Sequence, residues 1–473
     1  MALKRDLSYF DLTNIVVGAI VGSDIYIASA LTAGLVGPFS IIIWIVAGAL
    51  ATILALIFAY SSYYVPRVGG SFAFVSTAFN DFYGFLAGWS MWIAEVISLP
   101  VFAITFTNYL QYFVSLNVPE QIFIRGVFLF GLTVVNIFGV KAAGRLNDVL
   151  TVAKLSPLLL LALAGLSSVF YNPSFFSNYT PFAPFGFGNF GTALILIFWA
   201  YAGFELGTLP AAEVKNPRVT IPKAIITGMG IVTFFYLTTN FVIFGTVSSP
   251  QLSQTVVPLV LVGSALLFGT LGATIISAGA LVSVSGSDES AILGTARLAY
   301  AMSIDGLFPK TFSKIHPRFK TPYSALIVQG VIAFALSTFS GLTSLISFAV
   351  FNLSFCFLLV SLSFFRLQRK SAKRMRGQRV LPWLGVGICC YLLYSTGLTD
   401  KIVGTVLVLV GIPLYIYFSP KIDVEDLKAL FTSEEAVLAR GLQKRHRFLA
   451  NLVRMLAGVY SRMRKRNGSR LAV

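Results

Sequence analysis

An all-α membrane protein crossing the bilayer twelve times is the fold class this sequence predicts, on three observations. Of 473 residues, 56% are hydrophobic and only 11% charged, against about 45–50% and about 25% in ordinary soluble domains. Apolar stretches of the roughly 20 residues needed to cross a bilayer recur along the chain, whose mean hydropathy is +0.83. The lysines and arginines behind the net charge of +17 gather in alternate connecting segments, as their retention on the cytoplasmic side requires. This composition excludes a cytosolic enzyme, a disordered chain and a disulfide-stapled secreted domain.

The predicted spans lie at about 9–36, 39–64, 83–113, 122–140, 148–170, 190–210, 222–247, 263–301, 323–339, 342–366, 380–397 and 401–418. The first follows Met1-Ala2-Leu3-Lys4-Arg5-Asp6 and runs too long, without a small-residue cleavage site, for a removable signal peptide. With the N-terminus inside, 31 of 35 Lys and Arg fall in cytoplasmic segments. Arg125 and Lys401 fall outside, while Lys154 and Arg297 lie within spans. Both termini are therefore expected in the cytoplasm of a protein of the cell (plasma) membrane. A transmembrane domain over 1–419 precedes a basic tail over 420–473. In that tail, Phe448 to Leu456 has helical apolar spacing beside Arg462, Arg464, Lys465 and Arg466. It reads either as a surface helix on anionic lipid or as a solvated tail. No folded basic domain accompanies these charges, so nucleic acid is not an expected partner.

What the chain lacks narrows its chemistry. His316 and His446 belong to no His-Glu-x-x-His pair, and Arg145-Leu146 follow Gly139 and Gly144 where a phosphate loop needs Lys-Ser/Thr. Cys356, Cys389 and Cys390 lie within spans and read as small packing residues. No catalytic group, metal site or cofactor is expected. A secondary transporter, a channel or a membrane protein without transport activity remains.

Glycine-rich interruptions of a span are tolerated only where the backbone faces protein or a water-filled site. Two spans carry them: Gly18-Ala19-Ile20-Val21-Gly22-Ser23-Asp24-Ile25-Tyr26 in span 1 and Phe198-Trp199-Ala200-Tyr201-Ala202-Gly203-Phe204-Glu205 in span 6. These open two five-span blocks, about 9–170 and 190–366, ahead of spans 11 and 12 at about 380–418. An odd number of spans inverts the second block, and matched breaks in inverted repeats point to a transporter's binding site.

The sequence here resembles the amino acid–polyamine–organocation permeases, with their LeuT-type fold. Besides the two breaks, the resemblance rests on Tyr64-Val65-Pro66-Arg67-Val68-Gly69-Gly70-Ser71, on Asn136-Ile137-Phe138-Gly139-Val140-Lys141 leading to Lys154, and on Glu213-Val214-Lys215-Asn216-Pro217. Ile221-Pro222-Lys223-Ala224-Ile225 and the run from Arg297 through Asp305-Gly306-Leu307-Phe308-Pro309-Lys310 to Thr321-Pro322 extend it over spans 1 to 9. It implies a 5+5 inverted repeat with discontinuous helices 1 and 6. Free amides at the span 1 break would then meet a substrate carboxylate and free carbonyls at span 6 its amino group, as helix ends favour. By position this assigns substrate contacts to Ile20, Gly22, Ser23 and Asp24, and to Trp199, Ala202 and Gly203, with Trp199 or Phe204 as the aromatic closing over the substrate. The family's usual Gly-Ser-Gly or Gly-Ala-Gly is here Gly22-Ser23-Asp24. Asp24 then either meets an amine, a polyamine or a basic amino acid, or only caps the following half-helix.

Ionisable groups within spans cost about 2.5–3.5 kcal/mol near the helix centre and are functional candidates by default. Glu95, near the midplane of span 3, either meets a cationic head or is a protonated carboxyl bonded between helices. Lys154, about 10 Å into span 5, stands where the resemblance implies proton coupling in place of sodium. Its alternative role is an ion pair with Asp288 or Glu289. Glu205 matches a proton-sensitive gate residue of acidic exchangers in the family. Five buried carboxyls facing one lysine need protons or a cationic substrate. The expected function is secondary transport of amino acids or related organic amines by alternating access, coupled to protons. An obligate exchanger and an inorganic cation transporter are the competing readings.

Overall fold

The computed structural model describes residues 7–138, 140–209, 211, 214–370 and 377–418, with the backbone alone over 140–152 and at 370. Glu213 and the tail over 420–473, where the lipid contact was expected, lie outside the described residues. Among those residues every regular element is helical: no strand forms, and Leu7 and Val214 meet only in an isolated bridge.

Ser8 starts α1 (Tyr9–Ile20) through a reciprocal capping box with Asp11. After a break come α2 (Ser23–Val36) and α3 (Ser40–Tyr64). Gly69 and Gly70, both at positive φ, turn the chain into α4 (Ser71–Ala78). Asn80 caps α5 (Asp81–Leu110), and α6 (Val118–Phe138) and α7 (Val140–Ser168) follow. Next, α8 (Phe190–Ala200) gives way beyond Gly203 to a 3₁₀ turn, Phe204–Thr208. The chain continues through α9 (Pro217–Thr246), α10 (Ser249–Ser253), α11 (Pro258–Leu266), α12 (Thr270–Ile304), α13 (Tyr323–Phe339), α14 (Leu342–Leu367), α15 (Leu381–Ser395) and α16 (Leu398–Phe418).

Eight described helical segments are long and apolar enough to cross a membrane. The first of them, Tyr9–Tyr64, contains α1, α2 and α3, and three shorter apolar helices accompany the eight. The arrangement of side chains suits lipid as solvent. On α6, Phe123, Val127, Phe130, Val134 and Phe138 form an exposed stripe, while Thr133 and Asn136 are buried. Here Thr133 and Asn136 face protein, as do Phe128 and Leu129, while the exposed stripe is apolar.

Several boundaries differ from those predicted. The predicted span at 263–301 divides into α11 and α12, because Phe268 and Gly269 both take positive φ. There the two helices press so close that a Cβ on Gly272 would lie 2.1 Å from the Gly263 carbonyl oxygen. The loop predicted at 141–147 is helical, so Lys154 lies fourteen residues beyond the first residue of α7, about 21 Å along the helix at 1.5 Å each. At eight residues α4 is too short to register as a span, yet it is buried against α5 and α14.

The helices up to Gly411 form one unit, and a second begins at Ile412. Within the first, α2 packs on α8, α3 on α9, α5 on α12 and α6 on α13. Glycines permit the closest approaches. A Cβ on Gly279 of α12 would stand 2.3 Å from Pro157 Cγ of α7. Gly279→Leu is therefore expected to force the α7–α12 seam apart at a cost of about 1–3 kcal/mol, the usual range for overpacking. A thermal unfolding curve of the purified protein checks this; an undisplaced curve would show that the seam is not tight.

Candidate functional site

The break between α1 and α2 leaves backbone groups without helical partners, and side chains from three other helices satisfy them. Lys154 Nζ of α7 donates to the Gly18 carbonyl at 2.6 Å and to Ser287 Oγ of α12 at 3.0 Å. The Ser287 hydroxyl lies 2.6 Å from the Val21 carbonyl oxygen and 2.9 Å from that of Gly18, and donates to one at a time. From α9, the Tyr236 hydroxyl donates to Asp24 Oδ2 and sits 3.0 Å from the Ile20 carbonyl oxygen. Asp24 Oδ1 accepts the Gly22 N–H at 2.8 Å. A Cβ on Gly22 would come within 2.8 Å of Ser287 and 2.9 Å of Phe102, so the break has no room for a larger residue.

The break after α8 repeats this pattern. Gly203 takes φ +117, and its N–H donates at 2.9 Å to Oε2 of Glu205, two residues on, as Gly22 donates to Asp24. The two breaks touch, backbone to backbone: a Cβ on Gly203 would lie 3.0 Å from the Ala19 carbonyl and 3.1 Å from the Ile20 nitrogen.

A cavity opens beside this contact. Ala19, Ile20 and Asp24 line it from the first break, and Trp199, Ala202, Gly203, Glu205 and Leu206 from the second. Glu95, Ser98 and Phe102 of α5, with Ala291 and Leu353, complete the wall. Trp199 Nε1 donates to Ser98 Oγ at 3.2 Å, and its ring centroid lies 6.0 Å from that of Phe102. The Glu95 and Glu205 carboxyls face each other at interacting distance. Apart from the Glu95 carboxyl, the buried Glu205 Oε1 has no partner among the described residues. Two carboxyls so placed, away from water, call for a positive partner, either a proton or a cation.

Of the predicted contacts, Ile20, Asp24, Glu95, Trp199, Ala202 and Gly203 come together on this wall, with Glu205 beside them. Gly22 and Ser23 belong to the break but not to the wall, and the buried Ser23 hydroxyl has no partner among the described residues. Phe204 turns away to pack on Phe58 and Phe357, leaving Trp199 as the aromatic at the cavity. Lys154, Asp288 and Glu289 lie off the wall. Lys154 is held by a carbonyl and a hydroxyl, with no acidic oxygen in ion-pair contact among the described residues, although Asp24 and Glu289 are within electrostatic reach. Both Asp288 oxygens are buried without such a partner. The sequence reading missed Tyr236, Ser287, Ser98 and Phe102. Only Ser287, in the small polar run Ser283-Val284-Ser285-Gly286-Ser287, had a local signal.

Residues 7–425 match the family described as amino acid permease. The branched-chain amino acid permease of Bacillus subtilis is 28% identical over 443 residues, covering 89% of this chain and 94% of that one. From the same organism, a methylthioribose transporter is 27% identical over 89% of this chain and 94% of its own. A serine/threonine exchanger, also from Bacillus subtilis, is 24% identical over 87% of this chain and 96% of its own.

The contact between the breaks rests on a glycine at φ +117 against another backbone. Gly203→Ala is expected to cost about 1–3 kcal/mol through strain alone, before any displacement of Ala19. A clear drop in the midpoint of thermal unfolding checks this, and wild-type stability would contradict the close approach.

Proposed function

The chain belongs to the amino acid permease family, and on that premise we propose that it is a secondary active transporter of amino acids or related organic amines, working by alternating access and driven by protons. The observation that carries this reading is the backbone contact between two broken helices beside a cavity. In lipid a helix break is costly unless its groups face protein or a bound molecule, and paired breaks are how transporters build midplane sites.

Twelve crossings follow if Tyr9–Tyr64 counts as two and the three shorter apolar helices each count as one. A 5+5 inverted repeat is supported by pairing between corresponding helices of the two blocks: α2 with α8, α3 with α9, α5 with α12 and α6 with α13. The distribution of Lys and Arg supports cytoplasmic termini in the plasma membrane.

Lys154 is the coupling group in this reading. It bridges α7, the carbonyl end of α1 and Ser287 of α12, so a change in its charge alters the hold on the broken helix. Burial makes the charged amine expensive and gives proton release a use. A second reading, obligate exchange, is favoured by the similarity to a serine/threonine exchanger.

Uptake of labelled amino acids and amines into proteoliposomes tests both. Accumulation driven by an acid-outside gradient, indifferent to sodium and reduced to background in Lys154→Gln, is expected. Accumulation that follows sodium would remove Lys154 from coupling. Uptake only into vesicles preloaded with substrate would establish exchange instead.

A further inference from the structure

The first break holds its own carboxylate. The amino end of α2, with its free amides and positive dipole end, is where an anionic substrate group would bind. Here Asp24 Oδ1 already accepts the Gly22 N–H, and Tyr236 donates to Oδ2. A substrate carboxylate brought to this place would meet the Asp24 carboxyl in a low dielectric, which opposes its binding.

The rest of the cavity has the same sign. Glu95 and Glu205 face each other on its wall, and among the described residues no Lys, Arg or His lines it. Glu205 lines the cavity, and apart from the Glu95 carboxyl its buried Oε1 has no hydrogen-bond partner among the described residues. The pair therefore takes either one shared proton or a cationic hydrogen-bond donor. Trp199, Phe102, Ile20 and Leu353 supply an apolar surface to the same cavity. An anionic head group meets no cationic side chain among the described lining residues, whereas an ammonium group meets three acidic ones.

We propose that the substrate is an organic amine without a free carboxylate, its ammonium group held between Glu95 and Glu205 and its carbon skeleton laid against Trp199 and Phe102. Asp24 takes over the charge that the carboxylate of an amino acid would have brought. The inference rests on the transport reading above and narrows its substrate class.

Matched pairs of an amino acid and its decarboxylation product test it: leucine and isoamylamine, phenylalanine and phenethylamine, ornithine and putrescine, lysine and cadaverine. Each compound is measured by thermal stabilisation of the purified wild-type protein and by uptake into proteoliposomes. At least one amine is expected to bind and enter, with its parent amino acid tenfold or more weaker, the ratio that about 1.4 kcal/mol produces. Asp24→Asn, which removes the charge and can keep both hydrogen-bonded contacts, should narrow that ratio. Amino acids that bind and enter as well as or better than their amines would overturn the inference and leave transport standing. If neither set stabilises the protein or enters the vesicles, both readings fall. The wild-type comparison suffices if the variant does not fold.

Discussion

A helix that stops in lipid must find partners for the peptide groups it abandons, and the rest of this structure is arranged around that requirement. Hydrocarbon offers no hydrogen bonds, and an unpaired amide costs several kcal/mol there. At the first break the carbonyls of Gly18 and Val21 are met by Lys154 of α7 and Ser287 of α12, while Tyr236 of α9 gives its proton to Asp24 and stands 3.0 Å from the Ile20 carbonyl oxygen. Those contacts fix which helices surround α1. The glycines at 279 and 165 let α7 approach α12 and α9 closely, so that its lysine reaches the break. The polar contacts and the tight seams are thus parts of one solution.

The two breaks solve the nitrogen side of this problem identically. In each, a glycine N–H is taken by a carboxylate two residues further on, Asp24 in one and Glu205 in the other. A short acidic side chain just past a break is a local cap and needs no partner helix. This local role also places an acidic side chain at the mouth of each half-helix, beside the cavity. Capping and recognition, which the sequence presents as alternatives for Asp24, are compatible in the folded chain: the Oδ1 contact is internal, and the residue still lines the wall.

Features with a local cause were legible from the sequence; features set by distant partners were not. Gly22 and Gly203 announce breaks, because their neighbours are otherwise apolar and helical. Buried acids announce themselves by their cost in lipid. Nothing near Tyr236 reveals that its hydroxyl reaches Asp24, 212 residues away. Phe204 and Trp199 look equivalent in the sequence, but the turn at Gly203 sends one to Phe58 and Phe357 and leaves the other at the cavity. Hydropathy alone joined α11 to α12, since a left-handed Phe268 changes the chain's direction without changing its polarity.

The five buried acids set against one lysine form two separate charge problems once they are placed. Asp24, Glu95 and Glu205 share the cavity wall with no cationic side chain among the described residues. Glu289 lies within reach of Lys154 and Arg297, and Asp288 beside it is buried without a donor among the described residues. A proton moving onto the second group does not neutralise the first, because the cavity and the α12 acids are distinct environments joined through Asp24 and Lys154. In the proposed transport reading, that link would carry a positive charge arriving in the cavity from Asp24 to Lys154, whose contacts run to the Gly18 carbonyl and, through Ser287, to Val21 of the broken helix.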